Sequence, residues 1–149
     1  MKRSEILNLN SILSKSKITN LNRNARHAVL KNHTATFKLA QEINEFLEEG
    51  KKKIVEGLDV EITLLLQYRK EFKTADKARK EELVKKVQSE CFKAVQAENE
   101  LNEFANSYLN EEIDVEIVKM DRDDFIDMCS ESGMDLTPTD LMNLEFLFE

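Results

Sequence analysis

Few side chains in this 149-residue chain are of types that do chemistry alone, and their spacing decides what they are for. His27 and His33 are the only histidines. Six apart, they do not share a helix face as an i, i+4 zinc pair does. His33 falls on an apolar stripe, where a packed imidazole is expected. Asp121, Asp123, Asp124 and Asp127 resemble the start of a calcium loop, but Phe125 stands at its fifth position and Ile126 where that loop needs glycine. Acids so placed suit the first turn of a helix instead. Cys91 and Cys129 are far apart, and Cys91 sits on an apolar stripe, so free, inert thiols of a reducing, cytoplasmic setting are expected. The chain has no glycine-rich phosphate loop and no Cys/His set with zinc spacing. The expectation is a protein that is not an enzyme and takes no cofactor and no metal.

Charge gives the other chemical signal. Net charge is −7, but residues 1–40 carry eight Lys or Arg against Glu5 alone, while residues 98–149 carry two against sixteen acids. The basic segment could meet nucleic-acid phosphates, with Arg23, Arg26 and Lys31 as the contacts. It lacks interleaved aromatics, Phe37 being the only one. The gradient could equally be neutralised inside the molecule or between copies, and that reading is the favoured one.

The elements that must position these residues are helical. One proline, three glycines and no tryptophan in a chain rich in alternating charge indicate a mainly α protein. Ser4 to Ser14 reads as a short helix with Ser4 as its cap and Ile6, Leu9 and Leu13 on one side. After a polar connector, apolar residues recur three or four apart from Asn24 to Phe72, through Val29, His33, Phe37, Ala40, Ile43, Leu47, Ile54, Ile62 and Leu65. Unbroken, that helix would be roughly 74 Å long. Gly50 and Gly57 interrupt it, and each marks a break or a close helix–helix contact. The pattern resets at Thr74-Ala75-Asp76, with Thr74 or Asp76 as cap. A second long helix then reaches about Leu109, an antiparallel neighbour of the first. The segment 24–37 extends past this hairpin and needs cover from both chain ends.

Beyond Asn110 the period becomes two, with Ile113, Val115 and Ile117 alternating with Asp114 and Glu116, so a strand is expected. Residues 58–62 nearly repeat that pattern, and a strand there pairing with 113–117 is the alternative to continuous helix. Asp121 is the predicted cap of a helix ending near Gly133, with Asp124 closing a capping box and Met120 stapled to Phe125. Thr137-Pro138-Thr139-Asp140 starts the last helix, with a Leu136–Leu141 staple. The whole is expected to be a single domain: 1–23 helix and connector, 24–110 hairpin, 111–149 strand and two short helices.

Apolar width points to partners. Between Val55 and Tyr68 one arc carries Val55, Leu58, Ile62, Leu65 and Leu66, and a second stripe carries Val60, Leu64 and Tyr68. A two-helix hairpin covers one face of each helix, so the second stripe asks for further neighbours. A lone strand is also unstable. Self-association through Val60, Leu64 and Tyr68, with Ile113, Val115 and Ile117 pairing between copies, satisfies both demands, a dimer being favoured. No run of about 18 apolar residues is present, so no membrane-spanning helix is expected. The N-terminus lacks a continuous apolar core and cleavage site, so no secretory leader is expected.

The tail, Leu109-Asn110-Glu111-Glu112-Ile113-Asp114-Val115-Glu116-Ile117 followed by Leu136-Thr137-Pro138-Thr139-Asp140-Leu141, resembles the C-terminal part of small phage- and prophage-encoded helical proteins of unknown function. Their opening is similar to Ile6-Leu7-Asn8-Leu9-Asn10-Ser11-Ile12-Leu13, with a Lys/Ala-rich long helix after it. Gly50 to Val95 departs from that outline. The resemblance implies a phage or host protein partner and brings no activity. The sequence reading is thus a non-enzymatic interaction or assembly accessory acting as a homo-oligomer, with nucleic-acid binding by the basic segment as the alternative.

Overall fold

A computed structural model describes residues 1–149. The chain is mainly α, with seven helices: α1 Arg3–Lys15, α2 Arg23–Val55, α3 Asp59–Phe72, α4 Lys77–Glu90, α5 Phe92–Asn110, α6 Arg122–Glu131 and α7 Pro138–Asn143, then a 3₁₀ turn at Glu145–Leu147. It divides into two compact units, residues 1–45 with 108–149 and residues 46–107.

Both long helices of the sequence reading are interrupted. The first stops at Val55 because Gly57 takes a positive φ of 74°, which only glycine adopts without strain. α3 resumes at Asp59, so residues 58–62 form no strand. The second bends at Cys91, whose backbone (φ −121°, ψ 19°) leaves the helical region. Hydrogen bonds nevertheless continue across the bend, Cys91 N–H to Val87 O (3.0 Å) and Val95 N–H to Cys91 O (3.0 Å).

The strand expected at 113–117 does not form either. Residues 113–119 run without turn or bend, and the chain contains only two isolated bridges, Lys2 with Glu112 and Met120 with Phe148. Alternation selects an extended backbone, but a ladder needs a second run of amides beside it. Here the neighbours supply single anchors. Ile113 N–H donates to Met1 O (2.8 Å), and the Met1 ammonium to Ile113 O (3.0 Å).

The first unit holds the larger core. Leu9, Ile12 and Leu13 of α1, Ala25, Ala28 and Val29 of α2, and Met120, Phe125, Met128, Cys129, Leu144, Leu147 and Phe148 from the tail pack as one cluster. Residues near both chain ends thus cover the start of α2. Its buried face is rotated from the expected stripe: Asn32 and Thr36 are fully buried, while Phe37 is 46% exposed. Two polar residues are stable there because each is bonded. Asn32 Nδ2 donates to Val118 O (2.9 Å), Val118 N–H donates to Asn32 Oδ1 (2.8 Å), and Thr36 Oγ1 donates to Asn32 O (2.9 Å).

Local caps explain the short helices. Asp121 Oδ1 accepts from the Asp123 and Asp124 amides (2.9 and 3.1 Å), and α6 ends at Gly133, φ +74°. The Asp124 carboxylate closes no box. It accepts from Asn22 Nδ2 (2.7 Å), whose own Oδ1 caps α2 by accepting from Ala25 N–H (2.9 Å). Thr137 and Asp140 form the full reciprocal box, with Pro138 in the first turn. α1 begins one residue early. Lys2 occupies its cap position, and the Glu5 carboxylate rather than Ser4 satisfies the Lys2 amide (2.8 Å).

The second unit has a small core. Leu65, Cys91 and Ala94 are buried together, with Ile62, Leu64, Tyr68, Val87 and Val95 packed around them.

Candidate interaction surface

The side of α3 that packs inward is fixed by polar ties as well as by Leu65. Glu61 Oε2 accepts from Ala94 N–H (3.2 Å), one of the amides that the first turn of α5 leaves without a helical partner. Tyr68 donates its hydroxyl proton to the Glu90 carboxylate. Arg69 meets Glu98 through two nitrogens (2.5 and 2.7 Å). Arg79 bridges Glu71 (2.6 Å) and Glu82 (2.8 Å). These pairs shift titration in consistent directions. Arg69 holds the Glu98 carboxyl below the usual range, Arg79 does the same to Glu71 and Glu82, and the bond to Glu90 pushes the Tyr68 phenol up to about 12.

Glu61, Leu65, Tyr68 and Arg69 face inward, so the opposite side of α3 is left outward at 100° per residue. Val60 is 82% exposed and Leu66 59% exposed. Asp59, Val60, Thr63, Leu64 and Gln67 line a shallow groove of about 400 Å³. Leu64 is half-buried, touching the Leu65 cluster while lining that groove. Tyr68 does not join them. It lines a separate hollow of about 260 Å³ with Phe72, Leu83, Val84 and Val87.

Residues 46–107 bury only Leu65, Leu83, Cys91, Ala94 and Ala97 among their apolar side chains. The same segment holds six of the nine large apolar side chains that stand exposed: Phe46, Val60, Leu66, Phe72, Val84 and Phe92. More large apolar side chains stand exposed on this segment than are fully buried in it.

The other named residues belong to the first unit. Ile113, Val115 and Ile117 are half-buried, Ile113 being held by Met1. Arg26 turns its guanidinium to the carbonyls of Thr19 and Leu21 (3.1 Å each). Arg23 lines a hollow of about 380 Å³ with Asp121, Asp124 and Glu149. Lys31 lines a groove of about 810 Å³ that also holds Asp114 and Glu116. The unit as a whole has ten Lys or Arg against sixteen acids, a net of −6. Arg23 and Lys31 thus each share a hollow with carboxylates, whereas Arg26 is turned to carbonyls.

No three His, Cys, Asp or Glu side chains are grouped to hold a metal ion. No helix is long and apolar enough to cross a membrane. Both cysteines are buried and unpaired, and burial pushes the Cys129 thiol up to about 11. Asn32 is the structural residue that hydrophobic periodicity misses, since nothing local marks a buried asparagine. No family model, no curated protein and no solved structure matches the chain.

Proposed function

We propose that this protein is a non-enzymatic interaction accessory that works as a homo-oligomer, a dimer in the first instance, in the setting of a phage or mobile element. The setting rests on the resemblance of the tail and the opening helix. The mode of action rests on one observation: Val60 is 82% exposed beside a groove shared with Leu64 on a unit whose own core is small.

A second copy is the occupant that α3 fits best. The helix begins with Asp59 and Glu61 and ends with Arg69 and Lys70. Two α3 helices packed antiparallel about a two-fold axis near Leu64 and Leu65 would place Asp59 of each against Lys70 of the other. Their dipoles would also oppose. Asp59 and Lys70 flank the Val60–Leu64–Gln67 face on the same side, the arrangement in which antiparallel helices meet charge to charge. A helical-hairpin reading of residues 46–107 fits this picture. Glu71 with Arg79 and Tyr68 with Glu90 pair in opposite senses along the chain, as α3 and α4 of a hairpin do, while Arg69 reaches on to Glu98 of α5. Two such hairpins would make a four-helix bundle.

Sedimentation velocity at micromolar concentration tests the reading. The wild-type protein should sediment as a dimer and Val60→Glu as a monomer with unchanged helix content. A wild-type monomer across that range contradicts self-association.

A further inference from the structure

Between α5 and α6, Asp114, Val115, Glu116 and Ile117 make no hydrogen bond to any other part of the protein. The run is held open at both ends: Ile113 by Met1, Val118 by the Asn32 amide, and Met120 N–H by Leu147 O (2.9 Å). In an extended chain the N–H and C=O of one residue point the same way, and the direction alternates along the chain. Val118 turns both groups to Asn32 of α2, so Asp114 and Glu116 present theirs on that same side. There lies the groove of about 810 Å³, with Leu30, Ala35 and Leu39 of α2 opposite Val115 and Val118. Leu30 is 51% exposed. Unpaired edge amides beside an apolar wall are what an added strand uses for affinity and for side-chain selection.

We propose that this edge accepts an extended peptide of alternating apolar and basic side chains as an added strand. At about 3.3 Å per residue, Asp114 to Ile117 offers register for roughly four residues, pairing through the free groups of Asp114 and Glu116, since Asn32 already holds both groups of Val118. Lysine or arginine side chains of the incoming strand lie across from the exposed Asp114 and Glu116, and its apolar side chains lie over Leu30 and Leu39. The groove's lining holds two carboxylates against Lys31, with His27 the other basic side chain, and the carboxylates beside the free amides set the sign of the partner's charge. A second copy of the same segment fits poorly. It would bring its own Glu112, Asp114 and Glu116 with Lys119 as the one base, and like charges across a strand pair are destabilising. Because the segment is already held extended, binding pays little to order it. This surface is distinct from the α3 contact, and either can fail without the other.

The test is fluorescence anisotropy with a labelled hexapeptide of alternating valine and lysine, at low salt, on the full chain. The lysine peptide should bind saturably. It should bind roughly tenfold or more weakly to Asp114→Lys/Glu116→Lys, and that variant should bind the valine–glutamate peptide instead. A lysine peptide methylated on every backbone nitrogen should not bind. Val60→Glu should bind the lysine peptide as the wild type does. Circular dichroism should give the charge-reversed variant the wild-type spectrum, and its gain of the glutamate peptide reports an intact groove. The proposal is overturned if the lysine peptide does not bind the wild type, if charge reversal leaves its affinity unchanged, or if the N-methylated peptide binds equally well.

Discussion

The side-chain amide of Asn32 bonds both main-chain groups of Val118, at 2.9 and 2.8 Å, from a position with no solvent exposure. One side chain thereby does for the 113–119 segment what a neighbouring strand does in a sheet. Asn32→Ala would remove the partner of both main-chain groups of the half-buried Val118. At the lower end of about 1–3 kcal/mol for each orphaned group, because the groove lets water approach, the loss should be about 2 kcal/mol. Chemical denaturation followed by circular dichroism measures it, and a loss within 0.5 kcal/mol of zero would mean that water replaces the amide.

Gly50 lies against the Phe104 ring, which stacks on Phe46 with centroids 5.7 Å apart. An alanine methyl at position 50 would overlap that ring. Helix propensity favours Gly50→Ala by about 1 kcal/mol, yet overpacking costs about 1–3 kcal/mol. The single change should therefore be neutral to destabilising, and Phe104→Leu should turn it favourable. The double-mutant cycle in urea reads the sign of the coupling directly.

Tyr68 and Glu90 give a pH signature. The phenol donates to the carboxylate, and that bond is the main reason its pKa rises from 10.0 to about 12. A raised pKa means the fold favours the protonated form. The stabilisation is therefore complete below about pH 10 and disappears as the pH climbs through 12. In Glu90→Ala, absorbance at 295 nm should show one tyrosine titrating nearer pH 10 than in the wild type. The stability gap between the two proteins should close at the alkaline end. Identical titration curves would contradict the assignment.

What the sequence made legible was what short-range chemistry decides. Thr137, Pro138 and Asp140 form their box within four residues, and Asp121 caps α6 with amides two and three residues on, so both starts could be read without knowing the fold. The glycines were marked but not sorted. Only the three-dimensional chain distinguishes Gly57, whose φ ends a helix, from Gly50, which makes room for a ring. Asn32 was invisible because its partner lies 86 residues away. The alternation at 113–117 falls on a segment that runs without turn or bend. It could not indicate a strand, because a strand also needs a second chain segment beside it. For the surface on α3, spacing shows a second stripe of Val60, Leu64 and Tyr68 but says nothing of the bond that turns Tyr68 to Glu90.

The central claim is that two copies meet through α3 in antiparallel register, and sedimentation equilibrium on charge-reversed variants tests it most directly. Asp59→Lys and Lys70→Asp should each weaken dimerisation by roughly tenfold, since each removes two symmetric pairs worth up to about 1 kcal/mol and sets like charges together. The double variant Asp59→Lys/Lys70→Asp should recover the wild-type dimer constant. A wild-type protein that stays monomeric, or single reversals that leave the constant unchanged, would contradict the account.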